Sequence, residues 1–192
     1  MTKIAVITGT TRPGRVNLDV AQWVLEQASR RSDGEFELVD IADWNHPLLD
    51  EAMPAAFQQY ANTHTQSWSA KISEFDGYIF VTPEYNHSIS GSLKNAIDYL
   101  SVEWNNKAAG FVSYGFMGGA RAVEHLRGIA SELQLAHVRN QVTFSLFTDF
   151  ENFSEFKPTA QSAAALDPML DQLLPWTHAM QSLREDAMPV SR

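Results

Sequence analysis

Residues Gly9 to Asn17, GTTRPGRVN, set two glycines at the spacing of a phosphate-binding P-loop, but the Lys and Ser/Thr that should follow the second glycine are here Arg15 and Val16. A nucleoside triphosphate needs that Lys to reach its outer phosphates and that hydroxyl to hold magnesium, so NTPase chemistry is excluded. The G-x-G-x-x-G spacing of a dinucleotide fingerprint is absent too. What the loop does carry is hydroxyls at Thr10 and Thr11, charge at Arg12 and Arg15, and an amide at Asn17. At a strand-to-helix turn, where unpaired N–H groups and the helix dipole favour an anion, that set suits one terminal phosphate. Ordinary turn residues with exposed arginines account for this loop, taken alone, equally well.

A second chemistry-bearing stretch is PEYNHSISGSLKNAIDYL, Pro83 to Leu100. Pro83, Glu84, Tyr85 and Asn86 can present stiff backbone and an aromatic side chain to a planar, hydrogen-bonding ring. A turn and a helix capped by Ser90 or Ser92 explain the small residues, but not the polar and aromatic run before them. The third stretch, SYGFMGGARAVEHLR from Ser113 to Arg127, puts three glycines before a helix. Glycine allows close backbone approach to a ligand, and it also serves any tight turn.

These loops need elements to hold them. Lys3–Thr8, Tyr78–Thr82, Ala108–Tyr114 and Val138–Phe147 read as strands, most of them apolar enough for burial on both faces, with a weaker strand at 36–41. Helical spacing predicts helices over 15–31, 65–74, 91–100, 118–133 and 159–182, and a Pro-punctuated connection fills 43–54. Trp68, Ile72 and Phe75 fall at i, i+4, i+7, the stripe of a buried helix face. Alternation of strand and helix without repeats or linkers predicts one α/β domain over 1–192, with a five-stranded parallel sheet covered on both faces. Ligands bind such sheets beyond the carboxyl ends of the strands, which is where all three loops emerge.

In their order and placement, GTTRPGRVN, TPEYNHSISGSLKNAIDYL and SYGFMGGARAVEHLR resemble the NADPH-dependent FMN reductase family, a flavodoxin-like group, and HTQSWSAKI at 64–72 extends the likeness. The resemblance implies sheet order 2-1-3-4-5, FMN as cofactor and NADPH or NADH as electron donor. Thr10, Arg12, Arg15, Asn17 and backbone near Val16 would then hold the FMN phosphate. Pro83, Glu84, Tyr85 and Asn86 would line the flavin ring, with Ser113, Tyr114 and Gly115 closing the other side. A homodimer or dimer of dimers, with Lys94, Asn95 and Asp98 in the region of contact, is also implied. Three departures stand out. Thr10 replaces a frequent Ser, Ser90 replaces a frequent Pro and is expected to loosen its turn, and the bulk of Phe116 and Met117 is expected to narrow the ring pocket.

The activity so implied passes hydride from NAD(P)H to FMN and electrons on to a quinone, azo compound, free flavin or other small acceptor. A flavodoxin-like carrier docking a protein partner is the alternative. Flavin carries the redox chemistry itself, and no catalytic acid or base is assigned among the residues. His87 reads as an exposed loop residue, and His64, His125 and His137 lack ligand spacing, so no metal site is expected. The 192 residues contain no Cys, which excludes disulfides, thiolate metal sites and cysteine nucleophiles. Charge is 14 basic against 23 acidic, net −9, which opposes a non-specific grip on nucleic acid. The segment MTKIAVITGT is too short and polar-ended for a signal peptide or membrane span, and a cytoplasmic location is expected.

Overall fold

The computed structural model describes residues 1–185. Its central sheet is formed by β1 (Lys3–Thr8), β2 (Glu35–Val39), β3 (Gly77–Pro83), β4 (Lys107–Gly115) and β5 (Leu135–Ser145), all parallel in the order β2-β1-β3-β4-β5. This is the flavodoxin-like order that the family resemblance implies, with its switch point between β1 and β3.

Successive side chains of a strand point to opposite faces, and both faces here are covered. Ala5, Ile7, Phe80 and Phe111 pack beneath α2 (Thr63–Ser73), α3 (Gly91–Asp98) and α4 (Ala120–Glu132). Ile4, Val6, Ile79 and Val112 pack beneath α1 (Asn17–Ala28) and α6 (Leu166–Glu185). Double-sided burial is why the inner strands read as continuous apolar runs rather than alternating ones. Trp68, Ile72 and Phe75 are buried as their spacing predicts.

Three expectations about the elements are corrected. Ile41 ends no strand: Asp40 accepts from the backbone N–H of Ala42 and starts a 3-10 turn over Ile41–Trp44. The helix expected over 159–182 is two pieces, α5 (Ala160–Ala163) and then α6, which contains Pro175 and runs on to Glu185. β5 stops at Ser145 instead of Phe147, and the chain forms a short antiparallel hairpin of β6 (Phe150–Glu151) and β7 (Glu155–Phe156) that no periodicity announces.

Register decides which loops meet. Thr8 pairs with Val81, Thr82 with Ser113, and Pro83 with Tyr114, so β1, β3 and β4 release their loops side by side. Close approach is enforced at Gly9, where a Cβ would lie 2.4 Å from the Val81 carbonyl oxygen. Only glycine lets the first loop lie that near β3.

Candidate active site

The first loop is held from below by Asn17. Its side-chain oxygen accepts from the Gly9 N–H at 2.8 Å, and its amide donates to the Val81 carbonyl at 2.9 Å, with the residue fully buried. The Asn17 side chain is thus a strut tying the loop to β3. Thr10 is buried as well, its hydroxyl accepting from the Arg12 N–H at 3.3 Å and lying 3.5 Å from the Tyr85 hydroxyl. Gly14 turns the chain at φ 68°, and Val16 stands at the N-cap of α1 with no side chain capping the helix N–H groups. An uncapped N-terminus of a 12-residue helix leaves donors and a positive dipole end for an anion.

Two arginines stand beside that terminus in different electrostatic states. Arg15 pairs with Asp40, which also accepts from the Thr8 hydroxyl and the Ala42 N–H. The Arg15 Nε is buried and has no hydrogen-bond partner. Exposed Arg12 has no ion-pair partner among the described residues, so its charge is uncompensated.

The second loop is pinned at both ends. Glu84 donates its N–H to the Tyr114 carbonyl, and Tyr85 and Ser88 exchange backbone bonds at 2.9 and 3.1 Å across a tight turn. Asn86 and His87 form the tip at φ 49° and 75°. Positive φ suits Asn but is uncommon for His, so the turn is held against local preference by its surroundings. His87 is exposed, as expected. The Glu84 carboxylate is nearly buried, paired with Arg121 through one oxygen, while the other oxygen has no partner.

Ser90 overturns the expectation of a loosened turn. Its hydroxyl accepts from the Leu93 N–H at 3.0 Å as the N-cap of α3 and donates to the Gly9 carbonyl at 2.6 Å. The same side chain thus caps a helix and fastens the second loop to the first.

In the third loop, Ser113 turns away from the site, donating to the Gly118 carbonyl at 2.7 Å. Gly119 starts α4 at φ 75°, where a Cβ would meet Ser113 and the Tyr114 backbone at under 3 Å. Tyr114 is buried, and burial pushes its phenol well above the usual range, with nearby Tyr85 adding to the shift. The phenol is therefore a neutral donor and acceptor at any ordinary pH.

Of the residues singled out by sequence, Arg12, Arg15, Val16, Pro83, Glu84, Tyr85, Tyr114 and Gly115 line one cleft. Asn86 lines an adjoining opening, together with Phe116. Thr10, Asn17 and Ser113 support these loops from within. Phe116 and Met117 stand out into solvent, 61% and 68% exposed, so they form a rim instead of narrowing the pocket from inside. Sequence reasoning missed Leu146, Phe153 and Ser154, which supply the cleft's remaining wall from the segment after β5. The signal was present in FENFSEF, where Asn152 and Ser154 offer turn chemistry between Phe150 and Phe156.

The family profile for NADPH-dependent FMN reductase matches residues 2–149. The chain belongs to that family. It is 40% identical over 158 residues to the NAD(P)H-dependent FMN reductase ntnL of a Nectria species, covering 78% of this chain and 79% of that one. With the quinone reductase of Escherichia coli it shares 37% identity over 153 residues, 74% of this chain and 77% of the relative. In three dimensions it resembles FerB, a flavoenzyme NAD(P)H:(acceptor) oxidoreductase of Paracoccus denitrificans, with a TM-score of 0.71 over 94% of this chain and 99% of that one; at 20% identity this likeness speaks for the fold. As a member of the FMN reductase family, the protein is an oxidoreductase with FMN as cofactor and NAD(P)H as electron donor.

An FMN reductase must hold a monoester phosphate at one end of its site and a planar ring at the other. The unpartnered Arg15 Nε, the uncompensated Arg12 and the uncapped α1 terminus fit the phosphate. The stiff Pro83–Tyr85 backbone and the close Tyr114–Gly115 turn fit the ring. No group of three or more metal-ligating side chains occurs among the described residues.

Proposed function

We propose that the cleft is the FMN site of this reductase, with the phosphate at Arg12, Arg15 and the Val16–Asn17 end of α1, and the ring along Pro83–Asn86 and Tyr114–Gly115. The observation that carries this reading is the buried Arg15 Nε without a partner, beside a helix terminus that no side chain caps. Such a donor costs about 1–3 kcal/mol while unmet, and a phosphate oxygen would meet it.

When bound here, FMN would supply the redox chemistry, hydride acceptance from NADPH or NADH and electron delivery to a small acceptor. The protein's part is to bind, orient and exclude water. Arg12 attracts the anion, Asp40 keeps the Arg15 guanidinium in place, and the Glu84–Tyr114 backbone bond fixes the distance between the two ring-facing loops. Buried Tyr114 keeps its phenolic proton beside the cleft. For the acceptor we infer a quinone, as the quinone reductase of Escherichia coli among the relatives supports, with azo compounds and free flavin as further substrates.

The chain 1–192 is read as one FMN-binding domain acting in the cytoplasm as a homodimer. Support for self-association comes from exposed Leu48, Met53 and Phe57, in a segment that Asn95 of α3 pins through Pro47 and Leu49. No helix among the described residues is long and apolar enough to cross a membrane.

The test is anaerobic. The protein is loaded with FMN, NADPH is added, and the visible flavin band is followed. Prompt bleaching that a quinone reverses is the expected result. Arg12→Ala combined with Arg15→Ala should weaken FMN binding, and unchanged affinity in that double variant overturns the phosphate assignment.

A further inference from the structure

The β6–β7 hairpin adds nothing to the central sheet, yet its base is firmly fixed. Phe156 packs its ring against Phe144 at 4.9 Å, Phe150 at 5.2 Å and Trp23 at 5.8 Å. Asp149, buried, accepts from the N–H groups of Ser145 and Thr159 at 2.9 Å each. From this base the tip projects Asn152 and Phe153 at φ 53° and 59°. A Phe in left-handed backbone is uncommon and costs free energy, so the hairpin presents this ring outward against local preference.

The ring does not stand alone. Phe153, Phe147 and Phe116 are 57%, 66% and 61% exposed. Phe147 meets Phe153 edge-on at 5.8 Å and Phe116 at 5.5 Å, while Phe116 and Phe153 are 6.3 Å apart. Three phenyl rings gathered from three successive connections, after β4, after β5 and at the β6–β7 tip, make an apolar patch. Phe153 lines the cleft itself, beside Arg15 and Tyr114, and Phe116 lines the adjoining opening with Asn86. The patch is therefore the outer continuation of the site.

We propose that Phe116, Phe147 and Phe153 form the wall that selects the electron acceptor, favouring a flat, fused-ring aromatic quinone over a small charged acceptor. The inference rests on the reading of the cleft as the FMN site. Splayed rings offer both edges and faces, and an aromatic plane laid on them gains apolar burial together with offset or edge-to-face contact. A hydrated anion gains neither. Continuity with the cleft is what favours a small acceptor over a second copy of the chain as the patch's occupant.

The test compares the FMN-loaded protein with Phe147→Ser and Phe153→Ser, using 1,4-naphthoquinone and ferricyanide as acceptors. The expected result is that the ratio of kcat/KM for naphthoquinone to that for ferricyanide falls about tenfold in each variant, through KM, and that Phe153→Trp keeps the wild-type ratio. Bleaching of the flavin band by NADPH, measured without acceptor, should proceed as in wild type in Phe147→Ser, whose ring lies outside the cleft. An unchanged acceptor ratio overturns the proposal. So does a raised KM for NADPH, which would assign the wall to the donor, or a changed oligomeric state on gel filtration with the ratio intact, which would assign it to a second copy. A wild-type protein that takes up no FMN overturns the cleft reading itself, and titration detects that separately before any acceptor is added.

Discussion

Arg15 and Asp40 lie 2.5 Å apart, with side chains only 16% and 10% exposed, so the arginine closest to the α1 terminus has its charge largely offset. Asp40 has three partners in all, the other two being the Thr8 hydroxyl and the Ala42 N–H. Removing Arg15 leaves a nearly buried carboxylate with no cation, next to the place proposed for a phosphate. Arg15→Ala should therefore lower stability by about 1–3 kcal/mol and weaken FMN binding more than Arg12→Ala does. Adding Asp40→Asn should recover part of both losses. Titration of FMN fluorescence and thermal melts on the four proteins of this cycle, and on Arg12→Ala beside them, check it; strictly additive effects of Arg15→Ala and Asp40→Asn would show that the two residues do not act as a unit.

Ser90 supports a second prediction, since one hydroxyl caps α3 and holds the Gly9 carbonyl. Ser90→Ala should cost about 1–3 kcal/mol, a lost cap plus an unmet buried acceptor. The backbone there, at φ −68° and ψ 151°, already suits proline. Ser90→Pro should accordingly be milder than Ser90→Ala, because the ring reduces the freedom of the unfolded chain. Denaturant midpoints rank the two: the reverse order would mean that the proline ring does not fit this backbone, and a wild-type midpoint for Ser90→Ala would mean that the hydroxyl contributes little.

What the sequence revealed follows from the range of the interactions involved. Strands β1, β3 and β4 were legible because burial on both faces writes itself as unbroken apolar runs, and their alternation with helices limits the topology to few choices. Loop residues were legible as a group but not in their individual roles. Asn17 and Ser113 have the side chains of ligand donors, yet both spend them on backbone groups of the same fold. That distinction depends on Val81, 64 residues from Asn17 in the chain, and on the Gly118 carbonyl, which no local pattern encodes. The hairpin was missed for a related reason. Its strands are two residues each and gain their stability from Phe144 on β5 and from Trp23, the latter far away in sequence.

At the opposite end of the sheet from the cleft, Lys107 supplies a prediction about pH. It begins β4, is 6% exposed, and donates its ammonium to the Tyr78 hydroxyl at 2.8 Å and the Ile72 carbonyl at 3.1 Å. No carboxylate among the described residues bonds to it directly. Burial, with the charge of Arg184 adding to it and Asp76 and Glu103 opposing, lowers its pKa from 10.5 to about 8. Between those values the unfolded chain holds a proton that the native state has released, so this group makes stability rise with pH across that window. Below pH 8 both states are protonated, and the native state bears the whole cost of a buried ammonium. Lys107→Met keeps the apolar stem, removes the charge and leaves the Ile72 carbonyl bonded to the Tyr78 hydroxyl at 3.0 Å. The variant should be more stable than wild type at pH 7, by at most about 3 kcal/mol, the linkage value of the shift. That advantage should shrink steadily from pH 8 and be gone near pH 10.5. Thermal melts of the two proteins, paired at each pH from 7 to 10, check it: a difference that stays constant would mean that Lys107 titrates normally in the folded protein, and a variant less stable at pH 7 would mean that its two hydrogen bonds outweigh the burial of its charge.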